Sequence, residues 1–289
     1  MKKIRIAGPP GTGKTRFVVN IYYGKIQTHS ATEILVTSHT NTAADEIRDR
    51  IKDKNNILEY EKKTGKDVKA LIKESHKTLE ETVTTIHKYC CSVIKKIKGQ
   101  SVVFNGDDYE ILKQQFPLFN THTGSKKFHS LDMLIAGHPF FKFHSTARDN
   151  GLDTVQYYRT LSFEEKRDYK YKNVEEFQYL EEVYNNFKNK EKVNLRAPKI
   201  LDFQDMIQIF TDSDEVRSDE LGIKVLIVDE AQDSSVLQRA AEKKMAAAAD
   251  LFYKAGDPDQ ALFEFAGADP DAFHKEFAHP EEELEQGYR

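Results

Sequence analysis

An α/β fold on a mainly parallel sheet, with helices on both faces, is predicted by three observations. Short apolar runs alternate with amphipathic helical stretches toward both ends of the chain, the pattern of strand–helix–strand units. The run Val225–Val228 is apolar at every position, as in a strand buried on both faces. It ends abruptly in Asp229-Glu230, and the first apolar run, residues 4–7, ends in a glycine-rich loop. Open α/β sheets place their ligands at such strand ends.

The elements follow in order. Residues 4–7 (IRIA) form the first strand, and the helix after the glycine loop places Phe17, Val18, Ile21 and Tyr22 on one face. Residues 33–38 (EILVTS) read as a second strand. Residues 42–51 read as a helix burying Ala43, Ala44, Ile47 and Ile51 at helical spacing. Residues 82–87 (TVTTIH) are a third strand, followed by a helix with an apolar face of Tyr89, Val93 and Ile97. A strand at 225–229, an alanine-rich helix at 236–249 and a strand at 251–255 complete the alternation, which stops at Gly256-Asp257. Residues 98–195 break the rhythm and are rich in Phe, Tyr, Lys and Glu. They read as a mostly helical inserted subdomain, which leaves 1–97 and 196–289 as the α/β domain. Within the insertion, residues 163–187 suggest a helix with Tyr171, Phe177, Leu180, Val183 and Phe187 as partial apolar faces. The cluster PFFKFH at 139–144 suggests its core.

Composition narrows the class. The chain has 289 residues, enough for one large domain or two smaller ones, and its 39% apolar and 31% charged residues suit a protein with a packed core. No apolar run approaches membrane-spanning length, so no membrane partner is expected. Met1-Lys2-Lys3 leads straight into the first strand, which leaves no room for a signal peptide and suggests a cytoplasmic protein. Cys90 and Cys91 are adjacent, cannot form an ordinary disulfide and are too few for a zinc site; they read as small core thiols in a reducing compartment. Residues 1–100 carry 20 Lys/Arg against 11 Asp/Glu, whereas residues 201–289 carry 8 against 22. A uniformly basic nucleic-acid footprint is therefore absent, and the lysine runs at 52–77 and 88–98 read as solvated helix faces, with contact to a phosphate backbone as the alternative.

Two segments carry phosphate chemistry. GPPGTGKT at 8–15 fits the phosphate-loop pattern G-x-x-x-x-G-K-[ST] in its required strand–loop–helix setting. Gly8, Gly11 and Gly13 let the backbone wrap so that its N–H groups point at phosphate oxygens, with Pro9, Pro10 and Thr12 completing the loop and Arg16 in the first helical turn. Lys14 would reach the β- and γ-phosphates of ATP, and Thr15 would hold Mg²⁺. At the other acidic strand end, Asp229 would hold the same ion, and Glu230 would orient and polarise the attacking water.

Further segments resemble, in order and over nearly the whole chain, the superfamily 1A DNA helicases of the UvrD/Rep/PcrA type, whose first motor domain has a RecA-like P-loop NTPase fold. TSHTNTAADEI at 37–47 looks like motif Ia of that family, and Thr85-Ile86-His87 is similar to motif Ib. DFQDMI at 202–207 looks like the approach to motif II, and VDEAQD at 228–233 like motif II itself. GDPDQALFEFAGA at 256–268 looks like motif III and LEQGYR at 284–289 like motif IV. The resemblance implies an ATP-dependent helicase acting 3′→5′ on single-stranded DNA. It implies that Gln260 senses the γ-phosphate and that Arg289 contributes charge neutralisation. It also implies that His39, Asn41, Thr85, His87 and Phe265 line the DNA path, with Phe265 and His39 stacking bases. His39 stands where the family usually has Phe, and Ala266 where Arg is common. Only seven residues precede Gly8, so the adenine-reading glutamine segment of the family is missing. The second motor domain of the family is absent from these residues and is expected in a complete protein. A stand-alone nucleotide-dependent DNA-binding or regulatory module is the alternative expectation.

Overall fold

The computed structural model describes residues 2–9, 11–99, 101–120, 127–169, 173–189, 199–257 and 282–283. In chain order its elements begin with β1 (Lys2–Ala7), α1 (Lys14–Lys25), β2 (Ile34–Ser38), α2 (Asn41–Lys52), α3 (Lys54–Thr64), α4 (Lys69–Ser75), α5 (Leu79–Thr82), β3 (Val83–Thr85) and α6 (Ile86–Lys98). They continue through β4 (Ser101–Val103), α7 (Gly106–Gln115), α8 (Leu131–Gly137), α9 (Pro139–Asp149), α10 (Thr154–Thr160), α11 (Phe163–Asp168), α12 (Val174–Asn189), β5 (Lys199–Leu201) and α13 (Phe203–Asp212). The last are β6 (Val225–Val228), α14 (Val236–Ala246), β7 (Leu251–Gly256) and β8 (Glu282–Glu283). Two compact units divide the chain: Met1–Cys90 with Thr211–Arg289, and Cys91–Phe210.

The first unit is the parallel α/β fold expected from the strand–helix alternation. Its sheet runs β3-β2-β6-β7-β1-β8, with every neighbouring pair parallel. All residues of β2 and β6 are buried, which explains the unbroken apolar sequence of β6 and the apolar run Ile34–Val36 that opens β2. Alternate strand residues serve opposite faces. Ile4, Ile6, Val36, Val225, Ile227, Tyr253 and Ala255 join one core with Val18 and Tyr22 of α1 and Ile47 and Ile51 of α2. Lys254, between Tyr253 and Ala255, points the other way and meets Glu242 of α14 at 2.8 Å, so α14 covers the opposite face. Both partners are essentially inaccessible, and Ser234 Oγ donates to the second Glu242 oxygen at 2.6 Å.

The strand read at 82–87 is shorter, because Ile86 already opens α6. The buried residues of α6 are Ile86, Cys90, Cys91 and Ile94, one turn apart, while Ile97 is exposed; the face read as Tyr89, Val93 and Ile97 is not the core face. Residues 54–75, within the run at 52–77 read as solvated helix faces, form α3 and α4, whose Ile57 and Ile72 reach the same core as α1.

The second unit is mostly helical around an aromatic core of Phe104, Tyr109, Phe119, Phe140, Phe141, Phe143, Phe177 and Tyr184. Phe143 and Phe177 stack at 3.8 Å between ring centroids. The unit runs wider than residues 98–195. It takes in β5, which pairs in parallel with β4, a short strand pair that composition did not reveal. It also takes in the segment 202–207. Asp205 N donates to Asp202 Oδ1 at 2.7 Å and Asp202 N to Asp205 Oδ2 at 3.1 Å, a reciprocal cap at the start of α13. The same carboxylates hold Lys188 at 2.5 and 2.6 Å and Arg148 at 3.0 and 2.9 Å. Burial alone would raise the Asp202 carboxyl, but Lys188 and Arg148 outweigh it and hold it well below the usual carboxylate range. The segment 202–207, expected as the approach to an acidic strand end, is thus an ionic anchor of the helical unit. The residues read as one helix at 163–187 form α11 and α12, with Tyr171 outside the described residues.

His144 sits in this core against the rings of Phe140 and Tyr184. Burial, aided by Lys188 and Arg148 and opposed by Asp202, pushes its pKa from 6.5 down to about 3. The unfolded chain therefore binds a proton between pH 6.5 and about 3 that the folded chain does not. Stability from the neutral ring is complete above pH 6.5 and is lost as pH falls toward 3. Urea denaturation should show the native chain losing roughly 2 kcal/mol more than His144→Phe between pH 7 and pH 5. Parallel losses in the two proteins would show that the ring is not held neutral.

Candidate phosphate and nucleic-acid site

Parallel register brings the expected residues to one sheet edge. Ala7 lies opposite Gly256, Val228 opposite both Lys254 and Thr37, and Ser38 opposite Thr85. Gly8, Asp257, Asp229 and His39, the residues that follow β1, β7, β6 and β2, therefore leave the sheet side by side.

The loop after β1 is shaped by two left-handed glycines, Gly11 at φ 74° and Gly13 at φ 88°, a region that other residues enter only with strain. Thr12 folds the turn by donating from Oγ1 to Pro9 O at 2.8 Å. Gly13 caps α1 with no side-chain acceptor, and the first turn holds no acidic residue, so the helix-start N–H groups are left for an anion. Lys14 is buried, and its Nζ donates to Gly8 O at 2.6 Å and Pro9 O at 3.2 Å. Thr15 and Arg16 are half-buried, and Arg16 pairs with Glu59 of α3. Pro10 lies outside the described residues.

Across the edge, Asp229 is buried and its N–H is fixed by Thr37 O at 2.9 Å. Its Oδ1 has no hydrogen-bond partner. Burial first, then the Glu230 charge, pushes its carboxyl from 3.8 up to about 7, against the pull of the Glu230 backbone and Lys14. A buried acceptor without a donor is what a cation or its water would satisfy. Among the described residues no three His, Cys, Asp or Glu converge on a metal. Asp229 with the Thr15 hydroxyl suits Mg²⁺, which takes few protein ligands and completes its shell with phosphate oxygens and water.

Glu230 adopts φ 53°, ψ 42°, the one non-glycine residue with positive φ among those described. Gln232 ties it down. The Gln232 amide donates to Glu230 Oε2 at 2.9 Å, and its carbonyl accepts Asp257 N–H at 3.0 Å. One buried side chain therefore joins the end of β6 to the end of β7. Gln232 was visible as a letter of VDEAQD, but its bridging role needs β7 beside β6.

His39 is half-buried, and its Nε2 lies 3.4 Å from Ser234 Oγ, which continues to Glu242. Burial lowers its pKa, opposed by Glu242 and Glu230, which keeps the ring neutral at pH 7. Asn41 is exposed at the first position of α2, whose cap is Thr40, with Oγ1 accepting Ala43 N–H. Thr85 is buried, and its Oγ1 accepts Lys88 N–H at 3.3 Å. His87 is half-buried in the first turn of α6. Gln260, Phe265 and Arg289 lie outside the described residues.

A parallel sheet with a glycine loop at one strand end and Asp-Glu at another defines an α/β P-loop NTPase. Residues 1–279 match the family model of the UvrD/REP helicase N-terminal domain, and the chain belongs to that family, a superfamily 1 helicase motor. A search of curated proteins gave no match. Among the described residues no helix is long and apolar enough to cross a membrane.

The left-handed Glu230 gives a direct check. Glu230→Gly should be about 1 kcal/mol more stable than Glu230→Gln, because only the glycine relieves the strained backbone. Equal unfolding midpoints for the two variants would show that Glu230 is not strained.

Proposed function

We infer that this chain binds Mg·ATP, hydrolyses it, and couples hydrolysis to 3′→5′ movement along single-stranded DNA. The observation that carries this reading is the buried, unbonded Asp229 oxygen at the same sheet edge as the Lys14 loop. Gly8, Gly11, Thr12, Gly13 and their neighbours cradle the phosphates with backbone N–H groups. Lys14 exchanges its two loop carbonyls for β- and γ-phosphate oxygens, and Arg16 stands at the mouth of the loop. Bound Mg²⁺, held by Thr15 and Asp229, would neutralise phosphate charge. Glu230, with one carboxylate oxygen already committed to Gln232, turns the other toward the attacking water. Gln260 and Arg289 complete the sensing and neutralisation of the γ-phosphate, and a second motor domain supplies closure from the far side.

DNA runs along the same edge. The neutral His39 ring and Phe265 stack unpaired bases, while Asn41, Thr85 and His87 meet phosphate or sugar. His39 is joined through Ser234 to Glu242 under the sheet, and Gln232 joins Glu230 to the start of the segment that carries Phe265.

Two measurements test the reading. In equilibrium binding and phosphate-release assays, Glu230→Gln should keep ATP affinity and lose most hydrolysis; hydrolysis at the native rate would remove Glu230 from the water-orienting role. Fluorescence anisotropy with single-stranded oligonucleotides should show Phe265→Ala and His39→Ala each weakening binding by about 1–3 kcal/mol regardless of sequence. Native affinity in both variants would place DNA elsewhere.

A further inference from the structure

Glu242 and Lys254 are buried charges that the phosphate chemistry does not use, and their contacts lead toward the sheet edge. Lys254 Nζ meets Glu242 Oε2 at 2.8 Å, Ser234 Oγ donates to Glu242 Oε1 at 2.6 Å, and His39 Nε2 lies 3.4 Å from Ser234 Oγ. We propose that Ser234 and Glu242 are positioning residues for His39. They hold its ring in one orientation and one tautomer, so that it meets single-stranded DNA as a neutral face for bases and not as a cation for phosphate. The proposal rests on the reading that His39 lines the DNA path.

The count of protons fixes the tautomer. A carboxylate paired with an ammonium offers only lone pairs, so the 2.6 Å bond uses the single Ser234 hydroxyl proton. Ser234 Oγ then has only lone pairs left for His39, and the proton between them belongs to His39 Nε2. In a neutral ring this leaves Nδ1 bare, and His39 makes no other hydrogen bond among the described residues. Ser234 cannot turn to offer another arrangement. It is fully buried, its N–H bonds Ala231 O at 3.3 Å, and its carbonyl accepts Arg239 Nη1 at 2.6 Å. Ser235 beside it caps α14 through reciprocal bonds with Gln238.

Charge decides what the ring can touch. Glu242 of α14 and Glu230 at the end of β6 both favour a protonated ring, but burial outweighs them. Glu242 is itself neutralised by Lys254 of β7, so the carboxylate closest to the network does not charge the histidine. A bare Nδ1 repels phosphate oxygens, which are acceptors too. The faces of the ring stay free of charge, as base stacking requires. The buried pair under the sheet thereby sets the chemistry of a side chain at its edge.

Two-bond ¹H–¹⁵N spectra of the imidazoles, with His39 assigned by its loss in His39→Phe, read the tautomer directly. At pH 7 the native chain should carry the His39 proton on Nε2 alone, and Ser234→Ala should show a mixture of the two tautomers. A native ring protonated on Nδ1 or on both nitrogens overturns the proposal, as does a tautomer that Ser234→Ala leaves unchanged. Fluorescence anisotropy with one single-stranded oligonucleotide over a range of salt gives the second readout. Ser234→Ala should weaken DNA binding about 2- to 3-fold, the low end for one hydrogen bond because 3.4 Å is long, and leave Mg·ATP affinity native. His39→Phe should keep the native slope of log affinity against log salt, since no phosphate contact is lost. A slope shallower by about 0.7 would make His39 a phosphate contact and overturn the proposal. Native DNA affinity in His39→Ala would instead overturn the DNA-path reading, so the two failures are told apart.

Discussion

The parallel register of β1, β7, β6 and β2 is the constraint on which the site depends. It sets Ala7, Gly256, Val228 and Ser38 at one edge, so residues more than 200 positions apart in sequence emerge within reach of one ligand. The middle strand of this arrangement, β7, is pinned from below by the buried Lys254–Glu242 pair. Such a pair adds little net stability against apolar replacements, but removing one partner typically costs about 3–5 kcal/mol. Its contribution here is to position: Lys254 meets α14 in one way only, and Ser234 fixes the second Glu242 oxygen.

What stands on that frame is locally unfavourable. Glu230 is left-handed without being glycine, Asp229 has a buried oxygen with no donor, and the Lys14 ammonium rests on two carbonyls of its own loop. Each feature is a cost that the sheet and its covering helices over-determine. The three are also mutually explicable. A phosphate and a cation would take the ammonium, satisfy the orphaned carboxylate oxygen and employ the strained carboxylate. The Gln232 bridge then makes the ends of β6 and β7 move together, since displacing Glu230 disturbs the Asp257 N–H bond.

Much of this was legible in the sequence, for reasons that can be named. The phosphate loop carries its own geometry in Gly11 and Gly13, and the run before Asp229 has no polar residue because both of its faces are covered. Strand ends were harder: β3 stops at Thr85 because its threonine caps the helix that begins at once. Helix faces drifted for the same reason, since a helix starting at Ile86 buries Cys90 and Ile94 rather than Val93 and Ile97. The lysine-rich stretch at 54–75, read as solvated helix faces, does form two helices, but their few apolar residues, Ile57 and Ile72, which dock them on the core, gave no clear periodic signal. The segment 202–207 reads as an approach to motif II along the chain, yet its two aspartates are bound to Arg148 and Lys188 in the helical unit. Long-range pairs such as Lys254 with Glu242 carry no local signal at all.

The central claim is that Lys14 and Asp229 serve one ligand. A double-mutant cycle on Mg·ATP affinity with Lys14→Ala, Asp229→Ala and the pair tests it most directly. Residues that share a ligand through one phosphate group and its cation should be strongly non-additive, the double variant losing little more than the worse single variant. Losses that simply add would mean that the two strand ends act on separate ligands, and the single-site account would be wrong.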